Sequence, residues 1–148
     1  MNWAFAGWAF AAGMLIPVMA ALNGALGRAI GSPTWAAVAL FAIGLVATLA
    51  FTLATSGGPP FATLSRARPE QFLGGLIVAF YVLSVTYLTP RFGVGPTVLA
   101  VVIAQIVTSA VVGHFGWLGA PRQPLDLIRA LGLLLMLGGL VLAQPRKA

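Results

Sequence analysis

The sequence predicts an all-α integral membrane protein with five transmembrane helices per chain, and two observations carry that prediction. Of 148 residues, 60% are hydrophobic and 7% charged, with only two acids among them. A soluble domain charges roughly a quarter of its residues, so the surface of this chain must meet lipid. The second observation is the run of five apolar stretches, 3–27, 34–55, 72–89, 94–115 and 125–143. Each is close to the roughly 20 residues a helix needs to cross a hydrocarbon core of about 30 Å. Residues 1–148 read as a single transmembrane domain. Met1-Asn2-Trp3 lacks a basic side chain and the first apolar run is too long for a signal core, so no cleaved signal peptide is expected.

In the first stretch Pro17 removes a backbone donor and crowds the carbonyl of Gly13, which predicts a hinge at that point. Asn23 follows, and Gly24, Gly27 and Gly31 then form a small-residue face of the kind that brings helix backbones together in lipid. Ser32-Pro33 is a helix-start signal for the second stretch. Its internal polar groups, Thr48 and Thr52, are expected to bond back to their own preceding turn. The loop 56–70 opens with Gly57-Gly58-Pro59-Pro60 and ends at Pro69-Glu70, where the carboxylate suits the positive end of a helix dipole.

The third stretch starts at Gly74-Gly75 and spaces Tyr81, Ser84 and Tyr87 by three, with Arg91 one turn on. Tyr87 fits an interfacial belt. Tyr81 lies midway along the span, where its hydroxyl needs a partner in protein or a wet cavity. A turn at 93–96 leads to the fourth stretch, which gathers Thr97, Gln105, Thr108 and Ser109 on one broad face and ends in His114-Phe115-Gly116-Trp117. Pro121, Pro124 and Asp126 lead into the fifth, Asp126 as a cap or dipole residue.

Net charge is +6, but the basic residues stand singly or in pairs among loops, which suits lipid headgroups and not nucleic acid. There is no cysteine, and the lone histidine and both carboxylates lie outside the spans or at their ends. A protein-built metal site is therefore not expected, nor any cofactor. No nucleophile sits beside a base and no glycine-rich loop follows a strand, so an enzyme is not expected either.

With five crossings, the loops 56–70 and 116–124 share a side with the N-terminus and carry Arg66, Arg68 and Arg122. The other side carries Arg28, Arg91, Arg146 and Lys147. The tally is three against four, or four against four if Arg129 snorkels back to the loop side. Orientation follows Lys/Arg asymmetry, and here there is almost none. The expected partner is therefore a second copy of the chain in the opposite orientation, an antiparallel dual-topology homodimer. Five is odd, so an inverted repeat must come from that second copy.

A polar side chain within a span is a site candidate by default. Asn23, Gln105 and Tyr81 are the deepest, with Thr108 and Ser84 beside them; they either line a cavity for substrate or hold helices together. His114 and Arg91 are candidates for a proton-carrying or gating role, against the alternative of anchoring in the headgroup zone. No Asp or Glu lies within a span, which argues against the exchange of protons for organic cations on a buried carboxylate.

The order Pro17, Asn23-Gly24, Gly74-Gly75, Gln105, His114-Phe115-Gly116 and Gly132 resembles the five-helix YdcZ-like family of the drug/metabolite transporter superfamily, over nearly the whole chain. The family often has an acid just before the histidine, where this chain has Gly113. The resemblance implies a multi-pass protein of the bacterial inner membrane, too small to act except as a dimer. The resulting expectation is a small-molecule transporter working by alternating access, with helices 1 to 4 of both protomers around a central cavity and helix 5 at the dimer contact or periphery. A non-transporting scaffold or accessory subunit and a passive channel are the alternatives.

Overall fold

The computed structural model describes residues 2–58 and 64–143, and among these it is helical with no strand. Five α-helices follow in order: α1 Trp3–Ala29, α2 Pro33–Ser56, α3 Leu73–Phe92, α4 Val94–Phe115 and α5 Leu127–Leu142. Two 3-10 turns, Pro69–Phe72 and Trp117–Gly119, precede α3 and follow α4. The expected stretches thus form helices, four of them long and apolar enough to cross a membrane. The fifth has 16 residues and a length of about 24 Å at 1.5 Å per residue. It begins later than expected because Asp126 is its N-cap, the carboxylate accepting from the Arg129 N–H at 2.7 Å.

The chain divides into two units, Met1–Arg91 and Phe92–Ala148. In the first, α1 and α2 form a hairpin through Ile30, Gly31 and Ser32. Gly31 takes φ +68, where a β-carbon is disfavoured, and Ser32 caps α2 by accepting from the Trp35 N–H at 3.3 Å. Ala20, Ala36 and Ala37 are buried. A β-carbon on Gly27 would stand 3.2 Å from the Pro33 Cα, and one on Gly24 would meet Thr89 and Pro90 at 3.4–3.6 Å. Gly24 and Gly27 are therefore packing surface between α1 and its two neighbours, whereas nothing lies within 4 Å of a β-carbon on Gly31. Helix α1 runs on through Pro17, and nothing lies within 4 Å of a β-carbon built on Gly13.

Thr48 bonds back to the carbonyls of Gly44 and Leu45 at 2.8 and 3.1 Å. Thr52 makes no side-chain hydrogen bond among the described residues, and Thr55 does so instead, to the Phe51 carbonyl at 2.8 Å. Before α3, Glu70 pairs with Arg68, consistent with a structural role at that helix start. Helix α3 itself continues past Thr89 and through Pro90 to Phe92, three residues beyond the expected end. Pro90 lacks an N–H, so the Thr86 carbonyl gives up one helical hydrogen bond there.

In the second unit the expected turn 93–96 shrinks to Gly93, whose φ of +93 only glycine accepts readily. Pro96 falls inside the first turn of α4, where a missing N–H costs nothing. Thr97 is buried and donates to the Gly93 carbonyl at 2.7 Å. Gly116 closes α4 in the left-handed region at φ +67, its N–H bonded to the Val112 carbonyl.

Candidate functional site

In the first unit the deep amide is Asn23, which is 5% exposed. Its Nδ2 donates to Thr86 Oγ1 at 2.5 Å. Thr86 is 2% exposed, so the bond lies in a dry seam between α1 and α3. An amide in such a place must find a partner, and Thr86 supplies one within the same chain. One turn on, Thr89 is 4% exposed and its Oγ1 has no hydrogen-bond partner among the described residues. Thr86, Thr89 and Pro90 carry this seam, and none was singled out from the sequence. The available signal was the need of Asn23 for a small polar residue opposite it.

Asn23 also borders a groove of about 390 Å³ between α1 and α2. Leu15, Val18, Met19, Leu22, Leu26, Leu40 and Ile43 make the rest of its wall, so Asn23 is its one polar point. Tyr81 and Ser84 are half-buried on α3, and neither side chain has a hydrogen-bond partner among the described residues. Tyr87 is exposed near the end of α3. Arg91 folds back onto it, with Cζ 3.6 Å from the ring centroid and Nη1 bonded to the Tyr87 carbonyl at 2.8 Å.

Near the end of α1, Gly27, Arg28 and Gly31 face Pro33, Pro90 and Arg91 across a second cleft of about 350 Å³. Two arginines, Arg28 and Arg91, are thus among its lining residues. No side-chain hydrogen bond or ion pair of Arg28 exists among the described residues.

In the second unit the amide behaves differently. Gln105 and Thr108 are exposed on α4, and neither side chain is hydrogen-bonded among the described residues. Ser109 bonds back to the Ile106 carbonyl at 2.9 Å. His114 sits at the C-terminal end of α4, half-buried, with Nδ1 accepting from the Leu125 N–H at 2.9 Å. An accepting Nδ1 places the proton of the neutral ring on Nε2. The Gln123 N–H donates to the Gly113 carbonyl at 2.7 Å, and Arg129 reaches the Gln123 carbonyl at 2.6 Å. These bonds fold the segment 116–126 against the end of α4, and His114 is one of its clasps. Phe115 stacks on Trp117 at 5.0 Å between centroids, and Leu118 projects at the tip, 97% exposed. Aromatic and apolar side chains at a helix end suit the membrane–water interface.

Four to five apolar helices, polar side chains set singly along them and arginines at their ends suit a multi-pass membrane protein. No curated protein and no solved structure matches the chain. The family described as "Putative inner membrane exporter, YdcZ", of the drug/metabolite transporters, matches residues 4–142, nearly its whole length. The chain belongs to that family and is a multi-pass protein of the inner membrane.

Proposed function

We propose that the protein is a small-molecule transporter that works by alternating access as an antiparallel homodimer. The observation that carries this reading is Gln105. It is exposed, unpartnered among the described residues, and some eleven residues into a 22-residue apolar helix. An amide left bare to hydrocarbon costs several kcal/mol, so it needs a covering surface or a bound solute. A second copy supplies the surface, and a cavity between copies supplies the solute. Few of the described residues are buried: among their apolar side chains, only Ala20, Ala36, Ala37, Val82, Val85 and Ala110. Membership of an exporter family supports transport over the other functions open to such a protein.

In this reading Gln105 and Thr108 bind substrate. Asn23 marks the polar point of the α1–α2 groove, Tyr81 and Ser84 shape the wall, and Pro17 with Gly13 lets α1 bend. With no carboxylate in any span, neutral metabolites are the better-matched cargo. A scaffold is the second reading, favoured by the Asn23–Thr86 pair, since a scaffold spends its polar groups on one another. Gln105 separates the two. Proteoliposomes of the wild type and of Gln105→Leu, screened for uptake of labelled neutral metabolites, test it. Transport lost with the cross-linked dimer retained is the expected result. Loss of the dimer would make Gln105 a helix contact, and unchanged transport would remove it from the site.

A further inference from the structure

The cleft at the end of α1 carries two positive residues and no acid among the residues that line it. Arg28 and Arg91 both line it, together with Gly27, Gly31, Pro33 and Pro90. The sequence has two acidic side chains, and each is committed elsewhere: Glu70 pairs with Arg68, and Asp126 caps α5. Two arginines thus line one cleft whose other lining residues carry no charge. Arg91 is held in place rather than free to swing, through its bond to the Tyr87 carbonyl and its stacking on the Tyr87 ring. That spends one of its N–H donors and leaves the rest open. Arg28 has all of its donors open among the described residues. Two of the lining residues are glycines: a β-carbon on Gly27 would stand 3.2 Å from the Pro33 Cα, and Gly31 has the positive φ of the turn.

We propose that this cleft is a phosphate-binding site, with Arg28 and Arg91 as its donors. Guanidinium groups present planar forks that match phosphate oxygens, and two arginines lining one opening suit an anion that takes more than a single contact. Both arginines stand at helix ends, the depth of phospholipid headgroups. The phosphate comes either from an anionic lipid or from a soluble phosphate. The proposal does not depend on transport.

The test uses the full-length protein in detergent with two probes, phosphatidylglycerol and inorganic phosphate. Native mass spectrometry counts retained lipid, and the thermal midpoint reports phosphate. The variants are Arg28→Gln and Arg91→Gln, with Arg66→Gln in the exposed loop as control. Lipid retention weakened roughly tenfold or more by the first two and not by the control establishes the site with lipid as the source. A phosphate-induced rise in midpoint that disappears in the same two variants, without retained lipid, establishes it with soluble phosphate. Retention and midpoint shifts that are equal in wild type, Arg28→Gln and Arg91→Gln overturn the proposal. Should Arg91→Gln fail to fold for want of its Tyr87 contact, Arg28→Gln decides alone, because it breaks no bond within the described protomer.

Discussion

The bond between Asn23 and Thr86 decides what the deep amide of α1 is for, and a double-mutant cycle measures it. Asn23→Ala leaves Thr86 Oγ1 in a seam where the residue is 2% exposed. Stranding one partner of a buried hydrogen bond costs about 1–3 kcal/mol. Thr86→Val removes the other partner at nearly constant shape and strands the amide instead, at a similar cost. Removing both strands nothing, so the double variant should lose less than the sum of the singles. Interhelical hydrogen bonds in membranes couple by about 0.6 kcal/mol on average and up to about 1.7. With both ends this dry, we expect a value in the upper half of that range. The assay is reversible unfolding in mixed micelles, followed by circular dichroism, on the four proteins of the cycle. Additivity within about 0.3 kcal/mol would refute the bond as a structural element and return Asn23 to the groove as a free ligand. Transport gives an independent reading, since Thr86 does not line the groove that Asn23 borders. A defect common to both single variants marks Asn23 as structural. A defect in Asn23→Ala alone marks it as a substrate contact.

Two further outcomes follow from named geometry. Thr89→Val deletes a buried hydroxyl that has no partner among the described residues, so it should be neutral or stabilise by about 1 kcal/mol; a clear fall in the unfolding midpoint would mean that the hydroxyl is bonded in the membrane. Gly116→Ala forces a β-carbon into φ +67 and within 3.3 Å of the Arg122 side chain, which should cost about 1–2 kcal/mol. An unchanged thermal midpoint would show that the 116–126 segment does not hold the end of α4.

The helices were legible because lipid leaves the chain little choice: an apolar run long enough to cross must satisfy its backbone internally. The ends were less legible wherever a polar cap or a proline competed with the apolar signal. Asp126 delays α5, and α3 carries Pro90 inside its last turn because the preceding helix already holds its geometry. The polar candidates were legible as a set but not as pairs. That Asn23 finds its partner in Thr86 depends on which faces of α1 and α3 meet, and no spacing within either stretch encodes that. Thr86 and Thr89 were passed over because a threonine in a span usually bonds its own helix, as Thr48 and Thr97 do. His114 was legible as a helix-end residue, but its bond to Leu125 spans eleven residues of chain and needs the fold-back of a whole segment.

The proposed antiparallel pairing turns on whether α5 crosses. Arg129 reaches back to the Gln123 carbonyl and side chain at 2.6 and 3.2 Å, so it belongs with the segment 116–126. Five crossings then set Arg66, Arg68, Arg122 and Arg129 against Arg28, Arg91, Arg146 and Lys147, four to four. Four crossings would move Arg146 and Lys147, which lie outside the described residues, to the first group and give six to two. That is a strong bias toward one orientation. At about 24 Å, α5 falls short of a core of about 30 Å. Against this, Arg129 is the only polar side chain from Leu127 to Leu142, and a helix lying in the interface needs a whole polar face. Local thinning makes up a mismatch of this size at fractions of a kcal/mol per Å, whereas a flat α5 would hold leucines in water or headgroups along one side. Crossing is therefore the cheaper arrangement, and a reporter fused after the last residue should appear on both sides of the membrane in comparable amounts. A reporter confined to one side would mean that α5 stays at the interface, that the chain has a single orientation, and that any covering surface for Gln105 comes from a parallel copy or a different protein.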